Sequence, residues 1–260
     1  MNNIIRNIFL SFIALFSAFL ISCKPDNETV DPVDTDPVIT EIQIPDNNLA
    51  HAVRQSLGID VSQPFTADNL KQVDSLNLRD TGVNNLTGIE NMTNLVYLDL
   101  RGLPITNLSP LSNSKQLKWL SLRETQISVI NALQGFTELE YLNLNLLSNI
   151  SDISPISGST KLKELLVRDV QLGNDGMAVI ANFTNLIRLN IRNSRVSNFN
   201  ALAQLMAAGA LQDNGAEVAT IDIRDNPVPN DPGNDGYAPI RPYWNNVTER
   251  SPDVLPDPVL

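Results

Sequence analysis

The chain has very few residues of the kinds that catalyse reactions or bind metals. Among 260 residues there is one cysteine, Cys23, and one histidine, His51. A disulfide framework and a Cys/His zinc site both need more such residues, and a catalytic triad has only His51 to draw on. The sequence also lacks a Gly-rich phosphate loop, a GxSxG motif and a carboxylate pair singled out by its spacing. We therefore expect no enzyme, no cofactor and no metal site.

Aromatic residues are also scarce, at 5% of the chain, and acidic residues outnumber basic ones. The 18 Lys and Arg residues face 29 Asp and Glu residues, which gives a net charge of −11 and a pI near 4.5. A nucleic-acid partner needs a basic surface to displace counterions from phosphates, so this class of partner is excluded.

The acidic stretch 231–236 lacks an oxygen-bearing side chain at Gly233 and a closing Glu, and we predict a turn there rather than a calcium loop.

The N-terminus has the form of an export signal. Arg6 is the only charged residue before an apolar run over 8–21. These 14 residues would make a helix of roughly 21 Å, which is shorter than the ~30 Å hydrocarbon core of a membrane. We predict a cleaved signal peptide over 1–22 rather than a membrane-spanning helix.

The signal ends at the only cysteine of the chain. The tetrad Leu20-Ile21-Ser22-Cys23 resembles the lipobox of bacterial lipoproteins, and this resemblance implies that Cys23 is lipidated and holds the protein to a membrane. An acidic segment rich in Pro, Asp and Thr follows, and we predict a disordered tether over 23–40. Because Lys24 rather than Asp follows the cysteine, the resemblance implies an outer-membrane lipoprotein of the cell envelope. Whether it faces the periplasm or the medium stays open.

A repeated apolar pattern organises most of the remaining chain. Each unit starts with an apolar residue. A second apolar residue follows three positions later, and a third follows two positions after the second. The units begin at Val73, Leu95, Leu117, Leu139, Leu162, Leu186 and Val218. The first three intervals are 22 residues, and the next are 23, 24 and 32. Each unit forms one short strand and a return segment, and it buries its apolar side only by stacking on its neighbours. We predict an α/β solenoid over 73–226 with about seven parallel strands on its concave face.

This spacing resembles the short, internalin-like class of bacterial leucine-rich repeats, over roughly 42–227. The Asn that usually follows the strand is present only as Asn226, so the loop hydrogen bonding must differ in the other units. Their equivalent residues are Thr81, Leu103, Thr125, Leu147, Val170 and Ser194.

The exposed core at the first end of such a stack needs a cap. We predict a helical N-terminal cap over 41–72, which also resembles the entry cap of the family. Asp46 is placed to N-cap a helix that runs to about Leu57 and ends at Gly58, and Thr66 to cap a second short helix.

The later units lengthen in a different way. We predict helices over 174–182 and 200–211 on the convex side. The Pro-rich segment 227–260 is predicted to cover the last strand, because an open edge strand would recruit other chains. Its aromatic residues are interpreted as packing of this cap: Tyr237, Tyr243 and Trp244.

Strands stacked in register place equivalent outward residues in columns about 4.8 Å apart. The first column lies before the second apolar strand position: Ser75, Tyr97, Trp119, Tyr141, Glu164, Arg188 and Thr220. The second column lies between the last two apolar positions: Asn77, Asp99, Ser121, Asn143, Leu166, Asn190 and Asp222. The third column lies just after the strand: Arg79, Arg101, Arg123, Asn145, Arg168, Arg192 and Arg224.

Two of these columns carry residues that are frequent in binding sites, and each has a second interpretation. The arginines form either a recognition strip or a charge lattice with the acidic residues that follow them, Asp80, Glu124, Asp169 and Asp225. The three aromatic residues either support the strands by stacking or form a binding patch. We predict a partner site at Tyr97, Trp119, Tyr141, Asp99, Arg79, Arg101 and Arg123.

The first functional hypothesis is a protein-binding module that uses its concave face. The first alternative is a glycan-binding lipoprotein, in which the same rings stack on sugars while Asp99 and the arginines bind hydroxyl groups. The second alternative is a structural spacer or assembly component.

Overall fold

The computed structural model describes residues 40–231 and 234–248. The predicted signal peptide, Cys23, nearly all of the predicted tether and the chain after residue 248 lie outside the described residues. Their boundaries therefore stay predictions.

Seven short strands form one parallel sheet in chain order. They are β1 (Ser75–Asn77), β2 (Tyr97–Asp99), β3 (Trp119–Ser121), β4 (Tyr141–Asn143), β5 (Glu164–Leu166), β6 (Arg188–Asn190) and β7 (Thr220–Asp222). The middle residue of each strand pairs with the middle residue of the next, as Leu98 does with Leu120. The predicted columns therefore follow the actual register of the sheet.

The return segments differ between the two halves of the sheet. The early units return through single 3₁₀ turns at Ile89–Asn91, Ser109–Leu111, Asn131–Leu133 and Ser154–Ile156. The next two return through α-helices, Gly173–Ile180 (α3) and Asn200–Ala207 (α4), close to the predicted bounds. Apolar residues from strands and return segments form one continuous buried core. The leucine-rich repeat solenoid predicted from the spacing is confirmed.

Each strand is followed by a residue in the left-handed conformation. These residues are Asp80, Gly102, Glu124, Leu146, Asp169, Asn193 and Asp225. Asp, Asn and Gly adopt this conformation at low cost, and they hold five of the seven positions. A Cβ at Gly102 would lie 2.1 Å from Oδ1 of Asp80, so a larger residue there would displace that exposed carboxylate.

The next position shows how the units manage without the usual asparagine. The hydroxyl groups of Thr81 and Thr125 donate to carbonyl oxygens of their own strands, at Leu78 and Leu122. Asn226 takes the usual role in the last unit: its Nδ2 donates to three carbonyl oxygens, and its Oδ1 accepts from two amides of the preceding unit. The remaining apolar members, Leu103, Leu147 and Val170, are buried in the core.

Asp46 joins the N-terminal cap to the repeats. Its Oδ1 caps helix α1 (Asn47–Leu57) by accepting from the amides of Asn48 and Leu49. Its Oδ2 accepts from the amides of Asn84 and Asn85, which follow strand β1. A second helix, Ala67–Leu70 (α2), is capped by Thr66 as predicted, through a reciprocal capping box with Asn69.

The C-terminal segment covers the last strand. The Thr248 hydroxyl accepts from the Ile221 amide and donates to the Ile221 carbonyl, so it occupies the edge of β7. Tyr237 and Trp244 are 2% and 4% exposed and pack edge to face, as expected for cap residues. Two short strands at the acidic stretch, β8 (Asn230–Asp231) and β9 (Asn234–Asp235), pair antiparallel, and residues 232–233 between them lie outside the described residues.

Within 40–231 and 234–248, none of the helices has the length and apolar character of a membrane span. The same residues contain no group of three or more His, Cys, Asp or Glu side chains placed to hold a metal ion.

The four amide contacts of Asp46 predict an acid-sensitive cap. Burial alone would raise the pKa of this carboxyl group, but the four backbone donors outweigh it and the pKa is lowered. Because the folded pKa lies below the unfolded one, the stabilisation is complete at pH 7 and is lost as pH falls through the folded pKa. Asp46→Ala should lower the free energy of unfolding at pH 7 by about 1–2 kcal/mol, measured by urea unfolding.

At low pH the difference between Asp46→Ala and the unsubstituted protein should shrink. Asp68→Ala is the matched control, because that carboxylate is almost fully exposed and contacts only Lys71 at 3.7 Å. An equal effect of both substitutions at pH 7 would contradict the role of Asp46.

Candidate functional site

The three aromatic residues of the first column form one continuous stack. The ring centroids of Tyr97 and Trp119 are 4.3 Å apart, and those of Trp119 and Tyr141 are 4.5 Å apart. The interplanar angles are 18° and 5°. Parallel strands in register hold the three Cα atoms in line, so flat side chains at these positions pack face to face. We call Tyr97, Trp119 and Tyr141 the ring stack.

Stacking limits which parts of the rings a ligand can reach. All three side chains are half-buried, and both faces of Trp119 are covered by its neighbours. Burial raises the pKa of the Tyr97 and Tyr141 hydroxyl groups, and the nearby Asp99 carboxylate adds to the shift at Tyr97. The ring stack therefore presents ring edges, neutral hydroxyl groups and the outer faces of its two end rings.

Every arginine of the third column has a carboxylate partner at 2.5 to 3.1 Å. The pairs are Arg79–Asp80, Arg101–Asp99, Arg123–Glu124, Arg168–Asp169, Arg192–Asp225 and Arg224–Asp222. Four of these carboxylates are the ones that the charge-lattice interpretation named. The four pairs whose carboxylates are half-exposed contribute only about 0–1 kcal/mol each, but they cancel the repulsion between neighbouring arginines. A partner of this column must share or displace these carboxylates.

Asp99 requires a correction. It lies on the concave side as predicted, but it is 0% exposed. Its carboxylate accepts from Nε and Nη2 of Arg101 and from the Arg101 amide, and the hydrogen bonds that this guanidinium group donates to Asp99 raise its pKa. Asp99 therefore holds the end of strand β2 and offers no open acceptor to a ligand.

The role of Asp99 recurs along the second column. In five units the Asn or Asp side chain accepts from the backbone amide two residues later, at 3.0 to 3.2 Å. The acceptors are Asn77, Asp99, Asn143, Asn190 and Asp222. This local side-chain contact satisfies an amide at the point where the strand ends. The second column is thus structural.

Two units depart from this pattern. Ser121 is too short to make the contact, and its buried hydroxyl has no hydrogen-bond partner among the described residues. Leu166 has no acceptor at all, and the Arg168 amide instead donates to Oδ1 of Asn145 at 2.7 Å. Asn145 is the one member of the third column that is not arginine. It therefore supplies the acceptor that Leu166, in the second column of the next unit, lacks.

The structure brings most of the predicted site together. The ring stack is continuous, and Arg101 lies close enough to Tyr97 and Tyr141 to be affected by them electrostatically. Arg79 and Arg123 instead pair with the acidic residue that follows each of them. A cavity of about 340 Å³ at strands β6 and β7 was not predicted. Its polar lining is Arg188, Asn190, Thr220, Asp222, Arg224 and Thr248.

The chain is similar to solved structures of internalins. One is internalin inlF from Listeria monocytogenes, with 26% identity and a TM-score of 0.58 over 80% of this chain and 68% of that chain. Another is internalin C2 from the same organism, with 25% identity and a TM-score of 0.58 over 79% of this chain and 92% of that chain. The fold is therefore an internalin-like leucine-rich repeat. No protein-family model matches the chain, and no curated protein matches it.

The compensation between Asn145 and Leu166 predicts a coupled pair of substitutions. Asn145→Leu keeps the branched shape of the side chain but leaves the Arg168 amide without its acceptor, and should lower the free energy of unfolding by about 1–3 kcal/mol. In a chain that already carries Leu166→Asn, the same substitution should cost clearly less, because the new side chain accepts from that amide. Urea unfolding of the four chains gives the coupling free energy.

Asn149→Leu is the matched control, since Asn149 is exposed in the same turn; it should change stability by less than about 0.5 kcal/mol. Strict additivity of the two substitutions would show that Asn145 does not replace the missing contact.

Proposed function

We propose that this protein is a lipid-anchored protein of the bacterial cell envelope that binds another protein through the ring stack on its concave face. The observation that carries the proposal is the stack of Tyr97, Trp119 and Tyr141, which remains half-exposed at the centre of a regular sheet. Tyr and Trp side chains dominate protein interfaces because each supplies a large, rigid contact area with a polar group. The likeness to internalins supports an interaction module rather than an enzyme.

The ring geometry favours a protein over a glycan as the partner. A sugar that stacks on an aromatic residue needs an open ring face, which Trp119 lacks and which the stack offers only at its two ends. The glycan hypothesis also relied on Asp99 as a group that binds hydroxyls, and Asp99 is buried in its pair with Arg101. A protein surface can instead contact ring edges and hydroxyl groups along the whole stack.

The paired arginines fit the border of such a site. Arg101 and Arg123 flank the stack with side chains that are 30% and 40% exposed. Because each already has a carboxylate partner, they contribute more to the orientation and specificity of partner binding than to its affinity. The same pairing argues against a phosphate-rich partner, in agreement with the net charge of −11.

The anchoring part of the proposal rests on the sequence around Cys23. The lipobox-like tetrad, the apolar run before it and the acidic segment after it support export, lipidation and outer-membrane placement, with display on the surface as part of the proposal. A tether of this composition would hold the repeats away from the membrane, where the concave face could meet a partner.

The ring stack should be required for partner capture. Compared with the unsubstituted protein, a variant with Tyr97→Ala, Trp119→Ala and Tyr141→Ala should lose at least about 2 kcal/mol of binding free energy. The partner is first captured by cross-linking on intact cells and then purified, and its affinity for each variant is measured by calorimetry.

The matched control is a variant with Val61→Ala and Val129→Ala, which removes apolar side chains that are 85% and 59% exposed away from the sheet. Circular dichroism and urea unfolding confirm that each variant is folded. Equal capture by the triple variant and the control, or capture of no partner, would favour the structural-spacer hypothesis.

Cys23→Ser should release the protein from the membrane. The unsubstituted chain, expressed in a Gram-negative host, should incorporate labelled palmitate and appear in the outer-membrane fraction, whereas Cys23→Ser should do neither. Ser17→Ala, a small change inside the apolar run, is the control. Protease treatment of intact cells then reports the side of the membrane, and a Cys23→Ser protein that stays in the membrane would contradict the lipid anchor.

A further inference from the structure

The two ends of the ring stack are different. Beyond Tyr141, the next residue in register is Glu164, and its carboxylate pairs with Arg188 at 3.3 Å. Beyond Tyr97, the next residue in register is Ser75, which is exposed. One end of the stack therefore meets an ion pair of long side chains, whereas the other end stops at a small side chain.

In register, the position above Ser75 is the one that a further ring of the stack would occupy. The rings in the stack repeat every 4.3 to 4.5 Å, close to the spacing of about 4.8 Å between strands. Ser75 occupies the next position of this series with only a hydroxymethyl group. The second-column residue of the same strand, Asn77, is also exposed, whereas its counterparts in β2, β3 and β4 are buried. A flat group placed on the outer face of Tyr97 would continue the stack by one step.

The charged groups on both sides of this position already have partners, whereas the Ser75 hydroxyl is exposed. Oδ1 of Asn77 accepts from the Arg79 amide, and Nε of Arg79 donates to Asp80. Arg101, on the other side, is held by Asp99. A guanidinium group at this position would meet two arginines. A neutral aromatic ring avoids that repulsion, and it gains contact with the face of Tyr97.

We infer that Tyr97 and Ser75 form a slot for one aromatic side chain of the protein partner. We call it the ring slot. This inference rests on the proposed function and deepens it, because it names the chemistry of the partner residue and the end of the stack at which it binds. Ser75 is then a specificity-determining residue, since any larger side chain at this position would close the slot.

The test uses a phage-displayed library of random peptides selected on the immobilised protein. Ser75→Tyr fills the ring slot with a fourth ring, and it should leave the melting temperature unchanged or higher because the added ring stacks on Tyr97. Ser75→Ala leaves the slot open. Peptides selected on the unsubstituted protein should carry an aromatic residue whose replacement by Ala weakens binding about three- to tenfold.

The comparison between the two Ser75 variants decides the inference. The aromatic-to-Ala replacement in the peptide should weaken binding to Ser75→Ala as much as to the unsubstituted protein, and should have no effect on binding to Ser75→Tyr. Equal weakening on both variants would overturn the ring slot. Displacement of the peptides by methyl β-glucopyranoside, from the unsubstituted protein but not from Ser75→Tyr, would overturn it in favour of a sugar.

Failure of the ring slot and failure of the proposed function give different results. If the peptides do not bind the Tyr97, Trp119 and Tyr141 triple-alanine variant but bind Ser75→Tyr normally, the concave face remains the binding site. Only the ring slot is then overturned. Peptides that bind the triple variant as tightly as the unsubstituted protein would contradict both.

Discussion

The register of the parallel sheet is the constraint on which the rest of the structure depends. Each unit places its strand directly beside the previous one, so every outward position is repeated at a spacing of about 4.8 Å. Each outward side chain of an inner strand therefore lies between the equivalent side chains of the two neighbouring strands, and it must pack beside them without repulsion. The apolar positions meet this condition easily because leucine packs on leucine. The polar and aromatic positions meet it in three different ways, one for each column.

The first column meets it by stacking and the third by pairing with carboxylates. Rings at Tyr97, Trp119 and Tyr141 adopt the strand spacing with little adjustment. A row of arginines would repel itself, and the acidic residues needed to prevent this come from the left-handed turn or from the second column. The surface open to a partner is what remains after these contacts are made: ring edges, end faces and the outer sides of paired guanidinium groups. The ends of the stack, where a ring face is open, therefore restrict the chemistry of the partner more than its middle does.

The second column meets it by capping, and here the limits of the sequence are clearest. The repeat spacing predicted the strands and their register, and apolar periodicity with capping residues predicted the helices of the N-terminal cap, because burial of apolar residues dominates those features. The prediction that Asp99 would face a ligand assumed that an outward residue on a strand is exposed. The side chains of Arg101 and the neighbouring columns cover it instead. A signal was present, since Asn or Asp recurs two residues before the third column, but it takes known strand-end geometry to interpret it as a cap.

The pairing of Asn145 with Leu166 could not have been predicted from either column alone. Considered by itself, Asn145 is a gap in a row of arginines and resembles a change made for function. The hydrogen bond from the Arg168 amide shows that this gap follows from an apolar residue in the next unit. The same turn carries the left-handed Leu146 and the first interval longer than 22 residues, and α3 follows in the next unit. The irregular side chains therefore mark the change from short to long units, and the ring stack ends at the same point because Glu164, the next residue in register, is not aromatic.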